Sequence, residues 1–149
     1  MTAAENETSV VLYGDFGVSK VLLTGDAGVN ALRWAAENAV AMGIDLSKVE
    51  LIQMPHHGSR RNVAPSVLDR IIGPRRPLGS PEVKKAIVSA PKDDENHPRR
   101  MVLNAFTRRG AGVRTTQGRR YRFHVDMPPR ENEGPAPVVG FFDRVEDYD

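Results

Sequence analysis

Three short segments constrain this chain more than any other feature. They are Leu22-Leu23-Thr24-Gly25-Asp26, Pro55-His56-His57-Gly58-Ser59 and Asp94-Glu95-Asn96-His97-Pro98. Each follows a strand-like apolar run, and each presents ionisable side chains at a glycine or proline turn. Helical periodicity fills the spaces between them. After Asp26, Val29, Leu32, Ala36, Ala39 and Val40 recur at three and four, giving one apolar face over Ala27 to Met42. Asp26 stands where a helix N-cap belongs and Gly43 where a C′ glycine belongs. Strands alternating with helices argue for a layered α/β fold, and such folds place functional groups at the carboxyl ends of their strands.

The remaining elements follow from the same rules. Ser9 to Tyr13 and Lys20 to Thr24 flank Gly14-Asp15-Phe16-Gly17 and read as a β-hairpin. Val49 to Met54 is a third strand, stopped by Pro55. Pro65 to Ile72 is a short helix stopped by Gly73-Pro74. Ala86 to Ala90 is a near-continuous apolar strand, the pattern of a strand covered on both faces. Met101 to Arg109 reads as a helix ending at Gly110. Val113 to Thr116 and Tyr121 to Val125 suggest a last hairpin around Gly118. The predicted order is β-β-α-β-α-β-α-β-β. Residues 127–149 are rich in proline, glycine and acid, and are expected to lie extended over the surface or loose. Residues 1–126 then form the structured unit.

Composition narrows the chemistry. With 149 residues the chain suits one domain or a large piece of one. It contains no cysteine, so a disulfide framework and a thiolate metal site are both excluded. Any metal must use His, Asp or Glu. The net charge of +2 is compatible with an anionic substrate. No apolar stretch approaches the roughly 20 residues of a membrane span. The N-terminus lacks the basic-then-apolar order of a signal peptide, so the expected location is cytoplasmic.

The ionisable residues each admit a plain and a functional reading. Asp26 is an N-cap or a metal-binding carboxylate. His56 and His57 are solvent-facing loop residues or metal and substrate ligands. Their adjacency within a strand would point them to opposite sides, and the Pro55 and Gly58 turn relaxes that rule. His97 is a surface histidine or a group beside a helix N-terminus. Six dibasic pairs recur, from Arg60-Arg61 to Arg119-Arg120. Most are read as solvated charge. Arg60-Arg61 and Arg99-Arg100 follow the histidine loops, and the planar fork of arginine suits phosphate.

Together the segments resemble the C-terminal half of metallo-β-lactamase-superfamily hydrolases, most of all the ComEC-type domain of bacterial competence (DNA-uptake) channels. The resemblance runs from about Glu7 to Phe123. It rests on Asn6-Glu7-Thr8-Ser9-Val10-Val11-Leu12, Val21 to Asp26, Pro55 to Ser59, Val88-Ser89-Ala90 and His97-Pro98, in that order. It implies half of a four-layer αββα sandwich: a mixed sheet with flanking helices. It implies a metal-dependent hydrolase, a phosphodiesterase or nuclease, using zinc or manganese. Asp26 then matches the carboxylate that bridges two ions and acts in catalysis. The Pro-x-His-Gly frame points to His57 as a ligand rather than His56, which stays a third candidate. His97 matches a catalytic or substrate-side histidine, with Ser59 and Arg60 beside it on the substrate.

The family's H-x-H-x-D-H motif and a further histidine ahead of the bridging carboxylate have no counterpart here. The histidines are His56, His57, His97 and His124, all after Asp26. A catalytic zinc uses three protein ligands. The chain alone is therefore expected to be inactive, with one sheet face uncovered. It needs the missing half from preceding sequence, a complementing chain or a homo-oligomer. The competing expectation is a non-catalytic module that binds a partner protein or nucleic acid.

Overall fold

The computed structural model describes residues 3–128 and 130–147. The fold is α/β. Its centre is a five-stranded mixed sheet with helices packed against it. The elements are α1 (Ala4–Glu7), β1 (Leu12–Asp15), β2 (Lys20–Leu23), α2 (Val29–Ala41), β3 (Leu51–Gln53), α3 (Pro65–Ile71), β4 (Lys84–Val88), α4 (Arg100–Thr107) and β5 (Ala111–Thr115). Strand order in the sheet follows chain order, β1 to β5. β1 pairs antiparallel with β2, and every later pair is parallel.

Topology and handedness together place the helices. Each of α2, α3 and α4 connects adjacent parallel strands, always stepping in the same direction across the sheet. Right-handed crossovers of that kind put all three helices on one face. Residues in register across the sheet agree: Leu22, Ile52, Ala86 and Val113 align and all are buried. They join Leu32, Ala36, Leu68, Ile71, Leu103 and Phe106 in one continuous core. Each fully buried Leu, Ile or Phe there contributes about 1.5–3 kcal/mol.

Strand side chains alternate, so the residues one step along face the other way. On that side Leu12, 57% exposed, lies opposite Leu23, 41% exposed. Val21 and Leu51 are only half-buried. Towards β5 the same face turns polar. The Glu82 carboxylate covers Gly112 and pairs with Arg114 at 2.8 Å. No helix among the described residues covers this face.

Three expectations need correction. Asp26 does not cap α2. The N-cap is Gly28, and the Ala31 N–H in the first turn donates to Glu7 Oε2 at 2.7 Å. A carboxylate from α1 therefore takes the capping position. The fourth strand begins two residues early, at Lys84. Lysine is rarely buried, so the sequence hides this start. Here the Lys84 ammonium donates to the Ser47 and Val49 carbonyls, while burial pulls its pKa down from the usual lysine range. The last hairpin does not form. β5 pairs parallel with β4, and 121–125 is not a strand. Instead the Phe123 ring sits 5.8 Å from the Lys85 ammonium.

The segment after residue 127 forms no helix or strand among its described residues, yet it is tied down. The Val139 N–H donates to the Val113 carbonyl at 2.8 Å. Asn104 and Phe142 exchange two hydrogen bonds. Among the described residues no helix is long and apolar enough to cross a membrane.

Candidate functional site

The parallel strands β2, β3 and β4 end at one edge of the sheet, and their following loops are fastened to each other there. Gln53, closing β3, accepts at Oε1 from the Thr24 and Gly25 amides. The Thr24 hydroxyl donates to the Gln53 carbonyl. The His56 amide donates to the Gly25 carbonyl at 3.0 Å. The buried Asn62 amide donates to the Asp26 and Ala27 carbonyls. The Arg99 amide donates to the Gly58 carbonyl. The three segments singled out in the sequence are thus one hydrogen-bonded unit.

The Pro55–Gly58 turn is unusual. His56 has φ 43° and His57 φ 55°, both left-handed. Such backbone costs of order 1–3 kcal/mol per non-glycine residue and concentrates at functional sites. Gly58 follows at φ +83°, and a Cβ there would lie 2.6 Å from the Pro98 Cβ. Glycine is required both for the backbone and for the approach of the His97-Pro98 loop. The consecutive left-handed residues turn the two imidazoles perpendicular, with centroids 5.8 Å apart.

An open cleft of about 460 Å³ lies beside this turn. Asn6, His56, Ser59, Arg60, Arg61, Asn62, Asn96, His97 and Arg99 line it, with Ala3. Three arginines and two histidines face it and, among the described residues, no carboxylate does. His56 stacks on His97 at 6.3 Å and 24°. Behind His97, its Nδ1 lies 3.1 Å from Asp94 Oδ2. The Asn96 amide, donating to Asp94, holds that carboxyl below the usual carboxylate range, and the His97 ring and amide add to the effect.

The predicted residues separate into two groups. Ser59, Arg60 and His97, expected on the substrate, line the cleft, and His56 joins them. Asp26 and His57 do not line it, and both are exposed. The His57 Nδ1 is 2.6 Å from the Ser89 carbonyl. A carbonyl only accepts, so Nδ1 carries the proton and the neutral ring presents its Nε2 lone pair. That is the arrangement in which a histidine binds a cation. Among the described residues, no three His, Cys, Asp or Glu side chains come together so as to hold a metal ion. Asp26 and His57 are two donors where a catalytic zinc uses three. Asp26 and His57 by themselves, the donors placed among the described residues, do not make up a zinc or manganese centre.

Asn6, Asn62, Asp94 and Asn96 carry no functional signal of their own in the sequence. Asn6 lies fifty positions from the ring it touches, and no local pattern reports such a contact. Asp94 was the more legible of them. It stands three residues before His97 within a segment already singled out.

Comparison with known proteins yields one relative. A stretch of 71 residues, 48% of this chain, is 34% identical to "Recombination protein 2" of Haemophilus influenzae and covers 8% of that protein. The chain thus corresponds to a small part of a much longer relative. No protein-family model matches the chain, and no solved structure matches it.

Proposed function

We propose that this chain is the C-terminal half of a metallo-β-lactamase-type hydrolase domain and forms the substrate-binding wall of a phosphodiesterase or nuclease site. The observation that carries the reading is the cleft: Arg60, Arg61, Arg99, His56 and His97 around an opening with no carboxylate among its described lining. Clustered guanidinium groups select phosphate oxygens over neutral groups, and nucleic acid is the polyanion such a wall suits. The relative named for recombination agrees in kind. Asp26 and His57 are offered as this half's metal ligands, with His57 preferred to His56 because only His57 holds its Nδ1 proton on a carbonyl. Zinc or manganese would be completed by ligands from the other half, supplied by preceding sequence, a separate chain or a second copy. The expected setting is the cytoplasm.

The test uses the purified chain with zinc or manganese and a generic phosphodiester. Turnover should stay at background, while a single-stranded oligonucleotide should bind with an affinity that falls as salt rises. Robust, chelator-sensitive turnover would overturn the half-site. Salt-independent binding, or none, would overturn the phosphodiester substrate. The non-catalytic reading draws on the described residues, among which no three donors converge. About two tightly held ions per chain would exclude it.

A further inference from the structure

We propose that Asn6 is a positioning residue that fixes His56 with its proton on Nε2. The adjacent histidines then take opposite parts: His56 is a neutral hydrogen-bond donor to an oxyanion in the cleft, and His57 is a lone-pair donor outside it. The second part of this statement rests on the phosphodiester reading above.

The assignment follows from what each ring nitrogen faces. The Asn6 side-chain nitrogen lies 2.7 Å from His56 Nδ1. In this orientation the amide nitrogen donates and His56 Nδ1 accepts, which keeps the neutral ring's proton on Nε2. His57 faces a carbonyl oxygen through the same atom, and His97 faces a carboxylate. Both of those rings place a proton on Nδ1. Of these three imidazoles, His56 alone has the opposite polarity.

Both partners are held in place. The Asn6 carbonyl accepts from the Gly28 amide at 2.9 Å, and Glu7 next to it caps α2. His56 is fixed by its left-handed backbone, by its amide on Gly25 and by its carbonyl on Ser59. Asn6 and His56 both line the cleft and His57 does not. A ring that turns a lone pair towards a phosphate oxygen repels it. One that turns an N–H towards it donates without first becoming charged.

Long-range nitrogen–proton NMR of the histidine rings at mildly alkaline pH reads the tautomer directly. In the unaltered chain His56 should be protonated at Nε2 and His57 at Nδ1, each serving as the other's control. Asn6→Asp, whose carboxylate only accepts, should move the His56 proton to Nδ1. Asn6→Ala should leave a mixture. A backbone amide spectrum confirms that each variant is folded. Inorganic phosphate should shift the His56 Nε2 resonance in the unaltered chain, and Asn6→Ala should bind it several-fold more weakly. Protonation of His56 at Nδ1 in the unaltered chain would overturn the lock. A correct tautomer that phosphate leaves unmoved would overturn the donor role without touching the lock, whereas the phosphodiester reading falls only if the oligonucleotide fails to bind in a salt-dependent way.

Discussion

Two histidines side by side point to opposite faces in extended backbone, and they gather at one loop cluster only if the backbone between them leaves that geometry. His56 and His57 do so through consecutive left-handed residues, and Gly58 makes the turn compatible with the His97 loop. Gly58→Ala combines a disfavoured φ of +83° with a Cβ 2.6 Å from Pro98 and 3.0 Å from the Met54 sulfur. Loss of stability should exceed about 2 kcal/mol in urea unfolding, and the stacking of His56 on His97 should be lost with it. A change under about 0.5 kcal/mol would show that the two loops separate freely. The types and order of the site residues were legible, because each stands in a short local segment at a glycine or proline turn after a strand-like run. Their grouping was not. Nothing in Pro55-His56-His57-Gly58 says which ring meets Asn6 and which meets Ser89.

Among the elements, α4 depends on a remote segment. Its N-cap, Arg99, makes no side-chain cap hydrogen bond. Instead the Glu146 carboxylate accepts from the Arg100 and Met101 amides, and the Arg100 guanidinium lies 5.3 Å from the Phe142 ring. Burial pulls the Glu146 pKa up, but the hydrogen bonds from the Arg100, Glu146 and Met101 amides, with the Arg99 charge, together outweigh it and leave the pKa lowered. A carboxylate with a lowered folded pKa stabilises the fold above its unfolded value, near 4.5. That contribution is lost as pH falls through the folded pKa. Glu146→Gln should therefore cost about 0.5–1 kcal/mol at neutral pH, and the difference from the unaltered chain should vanish in acid. Equal stability at neutral pH would show that this segment rests on α4 without capping it. The sequence showed the helix through Pro98 near its start and Gly110 at its end. It did not show the cap, which lies 46 residues beyond the first helical residue.

For the molecule as a whole, the decisive feature is a sheet with α2, α3 and α4 on one side. The bare side is apolar over β1 to β3, where Leu12 and Leu23 are exposed, with Val10 and Phe16 nearby at 70% each. Apolar surface of this kind is normally buried against a partner. The chain should therefore show a native mass above its 16.4 kDa at raised concentration. A double Leu12→Lys, Leu23→Lys chain should return to the monomer mass with its melting temperature nearly unchanged. A monomer at every concentration would show that water tolerates the face.

The sequence by itself determined the alternation of strand and helix, the residues at the strand ends and the absence of thiolate chemistry. Periodicity, turn residues and composition are local, and they survive in a linear text. Only the tertiary structure decided that Glu7 rather than Asp26 caps α2, that a buried lysine opens β4 and that β5 runs parallel to β4. It also decided which predicted site residues share a cleft. Each of these depends on a hydrogen bond or packing contact between residues distant in the chain. Only the folded backbone sets that distance.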